Sequence, residues 1–112
     1  MVAYDEDLAE RIRELLAKER GITEKRMFGG LAFLVGGNMA VSASGRGGLM
    51  VRVDPADGEK LVASGKASPM VMRGREMSGW LRVDGAALRT RAQLAAWVER
   101  GTVYARSLPA KG

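Results

Sequence analysis

Glycine-rich turns divide the first half of the chain into short apolar segments, and the spacing of these turns constrains the fold more than any other feature. The turn signals stand at residues 29–30, 36–38 and 45–48. They separate four strand-like runs at residues 22–28, 31–35, 39–43 and 49–53. Connections this short join strands as antiparallel hairpins, because a parallel pairing needs a crossover of about a dozen residues. The segment 22–53 is therefore predicted to form four antiparallel strands.

A first helix is predicted over residues 5–20, ahead of these strands. Its apolar face consists of Leu8, Ile12, Leu15 and Leu16, which recur at helical spacing. Gly21 follows as a natural stop. The strands are followed by Asp54 and Pro55, an N-cap residue and a first helical residue, which predict a second helix to about Ser64.

The last part of the chain predicts two more strands and a long helix. Residues 70–72 and 77–83 read as strands around the turn 73–75, with Ser68-Pro69 in a preceding loop. A third helix is expected over residues 90–107, with one apolar stripe. The stripe contains Trp97, predicted to be a core residue, and Gly101, where a missing side chain lets the helix approach the sheet closely.

These elements together predict an α+β fold. The order is helix, four strands, helix, two strands, helix, which suggests a two-layer α/β sandwich with a mostly antiparallel sheet. A chain of 112 residues is the usual size of one domain, so residues 1–112 are predicted to form a single domain.

Catalytic motifs are missing from the sequence. There is no cysteine and no histidine, the commonest general base and metal ligand. Gly65-Lys66 lacks the other residues of a phosphate-binding loop, and the remaining glycine pairs fit hairpin turns. The paired carboxylates at 5 and 7 and at 54 and 57 stand at helix starts, where they cap. We therefore expect neither enzymatic activity nor a cofactor.

The charge distribution gives the strongest hint of a binding surface. The net charge is +5, but residues 1–24 carry seven acids and four bases, whereas the remainder carries 14 bases and six acids. Such a field attracts nucleic acid or another acidic partner, although it is also typical of a solvated surface. The candidate surface residues are Lys25, Arg26, Arg73, Arg75, Trp80 and Arg82. Trp80 either stacks on a ligand or packs between the sheet and a helix. The methionines at 27, 39, 50, 70, 72 and 77 are expected to fill the core.

Location and assembly follow from simpler features. No apolar run approaches the roughly 20 residues of a membrane span, and the first charged residues are acidic, unlike a secretory signal. We expect a cytoplasmic protein. An unprotected sheet edge also suggests a homodimer.

Several segments resemble the N-terminal domain of the TfoX/Sxy family. They are TEKRMFGGLAF at 23–33, GNMA at 37–40, LMVRVD at 49–54, GWLRV at 79–83 and AWVERG at 96–101. The resemblance covers nearly the whole chain and implies a two-layer α/β domain with a mostly antiparallel sheet. It also implies a bacterial, non-enzymatic role in regulating DNA-uptake genes, in which founding members act with the cyclic-AMP receptor protein.

Those regulators carry a second, helical domain, whereas this sequence is expected to be a stand-alone N-terminal domain. The leading hypothesis is thus an interaction domain that binds a protein partner, such as the transcription machinery. The alternative is a weak, sequence-independent nucleic-acid binder that uses the basic C-terminal portion.

Overall fold

A computed structural model describes residues 4–27, 29–45 and 47–110. Within these residues the helices are α1 Glu6–Leu15, α2 Pro55–Ala63 and α3 Arg91–Ser107. The strands are β1 Ile22–Met27, β2 Gly30–Val35, β3 Asn38–Ala43, β4 Leu49–Arg52, β5 Ser68–Met72 and β6 Arg75–Val83. Residues 28 and 46, which belong to a predicted strand and a predicted turn, lie outside the described residues.

The six strands form one antiparallel sheet in the order β1-β2-β3-β4-β6-β5. The four strands of the first half are joined by the short glycine turns, as their spacing predicted. β6 pairs with β4 on one side and with β5 on the other, so it joins the strands of the second half of the chain to those of the first. The predicted α+β class is confirmed.

The first helix is shorter than predicted. Asp5 caps it by accepting a hydrogen bond from the Leu8 amide, but the helix ends at Leu15 and not at residue 20. Beyond that point the bonds from Ala17 to Glu14 and from Glu19 to Leu16 span three residues, not four, and tighten the chain into turns. Leu16, the residue that ends the helix, is buried in the core.

In the second half of the chain one expectation is corrected and one element is added. The sequence predicts a loop at Ser68 and Pro69, but these residues begin the edge strand β5. Proline is tolerated at an edge because its missing N–H removes no bond from an interior ladder. A short 3-10 helix at Gly85–Leu88, which the sequence did not predict, follows β6 and buries Leu88.

The three helices pack on one face of the sheet, where the main core lies. This core contains Leu8 and Ile12 of α1, Leu61 of α2, and Leu94 and Trp97 of α3. The strand residues facing the helices are Leu31, Phe33, Val41, Ala43, Leu49, Val51, Leu81 and Val83. Trp97 is a core residue as predicted, with 7% of its surface exposed.

Caps fix the ends of the other two helices. Asp54 accepts a hydrogen bond from the Ala56 amide at 2.9 Å, and Pro55 occupies the first turn of α2, as predicted. Thr90 and Gln93 form a reciprocal capping box at the start of α3. These caps determine where α2 and α3 begin.

Candidate interaction surface

The second face of the sheet is built from the residues that alternate with the helix-facing ones. Successive side chains of a strand point to opposite faces. Leu81 and Val83 of β6 belong to the helix-facing core, so Trp80 and Arg82 point to the other face. By the same alternation, Met50 and Arg52 of β4 point to this second face, whereas Val51 points to the helices.

A separate apolar cluster occupies this second face. Its buried members are Ala32, Met39 and Met50, and its half-buried members are Met27, Leu34, Met70 and Trp80. These are all strand residues, and no described helix residue belongs to the cluster. We call this cluster, with the polar strand residues on the same side of the sheet, the methionine face. Met77, expected in the core, is 37% exposed and lies outside the cluster.

A cation–π stack organises one end of the methionine face. Arg52 and Trp80 are direct partners across β4 and β6, and the Arg52 guanidinium lies 5.0 Å from the centre of the Trp80 ring. The same guanidinium lies 5.7 Å from the ring of Tyr104, near the end of α3. Such contacts stabilise by about 0.5–2 kcal/mol, depending on how far the cation is removed from water. Arg52 thus holds the Trp80 ring and connects it to the helix layer.

Two candidate cations lie in one row across this face. Lys25 pairs with Ala32, and Ala32 pairs with Ser42. Ser42 in turn pairs with Met50, which pairs with Arg82. Four strand spacings of ~4.8 Å put the backbones of Lys25 and Arg82 about 19 Å apart. The exposed Lys25 and the half-buried Arg82 therefore flank the apolar centre.

The other three candidates lie elsewhere. Arg26 follows Lys25 in β1 and therefore points to the other face of the sheet, where it is exposed beside its partner Leu31. Arg73 and Arg75 are exposed at the β5–β6 hairpin, where Arg73 adopts a left-handed backbone with φ of 52°. Arg75 and Arg82 are seven positions apart on β6, which is roughly 23 Å along the strand. Arg75 has the same alternation as Met77, the partner of Met70, but it lies at the hairpin end of β6. Of the six candidates, Lys25, Trp80 and Arg82 therefore lie beside the apolar cluster.

Arg52 was not among the residues predicted for a binding surface, and the methionines were expected to be ordinary core residues. A usable signal was present, because Arg52 has the same alternation as Met50 and the opposite one from Val51 and Val53. What the sequence did not show is that β4 lies beside β6, which brings Arg52 to Trp80.

Shifted pKa values occur away from this surface, at an ion pair that joins α1 to β1. Hydrogen bonds from Arg13 Nε and Nη2 to the two carboxylate oxygens of Glu24, at 2.6 and 2.7 Å, lower the pKa of Glu24. The same bonding raises the pKa of Arg13, which also contacts Glu10. Both carboxylates act here as structural partners of one guanidinium.

The described residues contain two further features of note. A cleft of about 450 Å³ runs between α2 and α3, with Asp57, Arg100, Val103 and Tyr104 in its lining. A more polar groove of about 740 Å³ lies beside β5 and includes Lys66 and Arg82. No group of three or more acidic side chains in the described residues is arranged to hold a metal ion. None of the described helices is long and apolar enough to span a bilayer.

The fold and the surface define a small α+β domain with helices on one face of an antiparallel sheet and an apolar, cation-flanked patch on the other. Residues 14–104 match the TfoX N-terminal domain, so the chain belongs to that family. No curated protein and no solved structure matches the chain. The family resemblance expected from the sequence is confirmed.

Proposed function

We propose that this protein is a non-enzymatic regulatory domain that acts by binding a protein partner, as an accessory factor in the transcription of DNA-uptake genes. Membership of the TfoX N-terminal domain family supports a competence-related role. The observation that carries the proposal is the methionine face, an apolar cluster of strand residues on the side of the sheet away from the helix-facing core.

The composition of the face suits binding better than simple packing. Trp80, Leu34 and Met70 are only half-buried, which leaves part of their apolar surface in water. Removing this apolar surface from water by a partner favours association. Contiguous apolar patches with polar rims are typical of interaction sites.

A genetic test addresses the regulatory role directly. The gene is deleted in the source organism and restored as the parent or as the double variant Leu34→Gln/Met70→Gln. Transcripts of DNA-uptake genes are then measured by RNA sequencing. We expect deletion to change these transcripts, the parent to restore them, and the double variant to fail.

The matched control places the same polar side chain on the helix layer. Val103 is 62% exposed on α3, so Val103→Gln removes an exposed apolar side chain without touching the methionine face. We expect Val103→Gln to restore the transcripts as the parent does. Unchanged DNA-uptake transcripts after deletion would contradict the regulatory role.

A further inference from the structure

We propose that the partner of the methionine face is an acidic protein segment that carries large apolar side chains. This inference rests on the proposed interaction function and names the chemistry of the partner. It is drawn from the charges and the apolar groups on one side of the sheet.

Among the strand residues that the structure describes, the charged residues on the methionine face are all cations. Lys25, Arg52 and Arg82 share its alternation. Glu24 of β1 has the opposite alternation and is bound by Arg13 of α1. The other strand carboxylate, Glu76, pairs with Val71 beyond the left-handed Gly79, at the far end of β6. A positive surface of this kind favours a negative partner and disfavours a positive one.

The apolar centre of the face suits side chains of varied shape. Met27 and Met70, which are half-buried, offer flexible thioethers that adapt to different apolar groups, whereas Met39 and Met50 are buried. Trp80, fixed by Arg52, adds a rigid aromatic anchor of the kind that dominates many interfaces. Large aliphatic or aromatic groups flanked by carboxylates would therefore fit the face in both polarity and charge.

The same observations disfavour single-stranded nucleic acid as the main partner. Single-strand binders stack successive bases on several aromatic side chains. Among the described residues, the methionine face offers Trp80 as its aromatic side chain, and the Arg52 guanidinium already lies over that ring at 5.0 Å. Phosphates would find cations here, but the bases would find thioethers instead of stacking rings.

A second copy of the chain is also a poor occupant of this face. A two-fold interface brings the same patch of both copies together. Such an interface would bring two positively charged faces together, and like charges weaken an association. An acidic segment meets no such repulsion.

The test is a selection from a displayed library of random peptides of about 16 residues. The parent protein and the charge-reversed variant Lys25→Glu/Arg82→Glu are immobilised separately, and the enriched peptides are sequenced. On the parent we expect peptides with more aspartate and glutamate than the starting library, together with large apolar residues. On the variant we expect this acidic enrichment to disappear.

Affinity measurements complete the test. A synthetic copy of the most enriched peptide is titrated by fluorescence anisotropy against the parent and its variants. We expect Lys25→Glu/Arg82→Glu to weaken binding about tenfold or more. The matched control is Lys60→Glu, which reverses an exposed charge on α2 and should leave affinity within about twofold.

Three outcomes would overturn the proposal: no enrichment over the bare support, enriched peptides without excess acidic residues, or equal affinity for the parent and the charge-reversed variant. A thymidine 20-mer that binds the parent more tightly than the selected peptide would overturn it in favour of nucleic acid. Because Lys25 is exposed, the single variant Lys25→Glu provides the comparison if reversal at Arg82 prevents folding. A positive selection alongside unchanged transcripts in the deletion strain would reject the regulatory role alone.

Discussion

Gly101 of α3 lies directly against the backbone carbonyl of Ala40 in β3. A Cβ atom at position 101 would collide with the Ala40 oxygen and also press on its carbonyl carbon and on a methyl group of Val41. Gly101 is buried in the middle of the helix, where glycine ordinarily lowers helix stability by up to about 1 kcal/mol relative to alanine. The close approach of helix to sheet explains why glycine is suited to this position.

Gly101→Ala should therefore destabilise the protein. The gain in helix propensity is outweighed by overpacking against a backbone, which typically costs about 1–3 kcal/mol. The matched control is Gly58→Ala in α2, also buried, where a Cβ would meet its nearest atom at 3.4 Å. We expect Gly58→Ala to be neutral or stabilising by up to about 1 kcal/mol. Urea denaturation compares the two, and equal effects would contradict the close-contact explanation.

Trp97→Ala should remove the largest side chain of the helix layer. Because Trp97 is buried in the main core, we expect a loss of about 3–5 kcal/mol in the free energy of unfolding. Val103→Ala, at a position 62% exposed on the same helix, should change it by less than about 0.5 kcal/mol. A Trp97→Ala midpoint equal to that of the parent in chemical denaturation would show that the ring contributes no core packing.

The Arg13–Glu24 pair should give the protein a specific dependence on acid. The pKa of Glu24 is lowered in the folded state, so its ionised form favours folding. That contribution is present above the unfolded pKa of about 4.3 and is lost as the pH falls through the lower folded value. Glu24→Gln should therefore lower the denaturation midpoint at pH 7, and the difference from the parent should shrink toward pH 3.

Glu76→Gln provides the control for this pH effect. Glu76 is an exposed strand carboxylate that forms no ion pair with any described residue, so its replacement should not reproduce the pH-dependent difference. A Glu24→Gln effect of equal size at pH 7 and pH 3 would show that Glu24 acts through something other than its charge.

The fold was predictable because its signals are local. Glycine turns mark the hairpins, and the stripe that contains Trp97 and Gly101 marks the helix that packs on the sheet. The early end of α1 at Leu15 was not predictable in this way, because residues 17–20 are all good helix formers and no local stop signal precedes Gly21.

The interaction surface was less predictable because it depends on long-range register. Lys25 and Arg82 are 57 positions apart in the sequence and enter one row through four successive strand pairings. The regular alternation of side chains between the two faces of the sheet is also interrupted between Pro69 and Met70, and again at Gly79, whose φ is 81°. For this reason the sequence could not distinguish the buried Met39 from the exposed Met77.

The unequal sheet edges suggest how a homodimer would form. β1 carries Glu24, Lys25 and Arg26, and such charges discourage edge pairing. β5 carries no charge, and Val71 is 50% exposed on it. Because Pro69 cannot donate a hydrogen bond, we expect two copies to pair antiparallel around Val71.

Light scattering over a range of concentrations tests this arrangement. The chain mass is 12.0 kDa, so the dimer should have a mass of about 24 kDa. Val71→Lys should give the monomer, whereas Val103→Lys on α3 should not. A monomeric parent at every concentration would rule the dimer out.

The remaining hypothesis, nucleic-acid binding through the basic portion, makes a distinct prediction about salt. Binding through phosphates alone should give dissociation constants on the order of 10⁻⁴–10⁻⁶ M at physiological salt and little preference for sequence. Removing one cation that binds a phosphate should reduce the slope of log affinity against log salt by about one unit. The triple variant Arg73→Gln/Arg75→Gln/Arg82→Gln removes three candidate cations and leaves the helix-facing core intact.

The structure allows these cations to be tested separately. Arg73 and Arg75 lie at the β5–β6 hairpin, whereas Arg82 lies on the methionine face with Lys25. Arg73→Gln/Arg75→Gln should therefore reduce the slope of log affinity against log salt if the nucleic acid binds at the hairpin. Lys25→Gln/Arg82→Gln should reduce it if the nucleic acid binds on the methionine face. A parent that binds no DNA at low salt would eliminate the hypothesis. If it binds and only the hairpin pair lowers the slope, the nucleic acid lies along the β5–β6 edge and leaves the methionine face free for a protein partner.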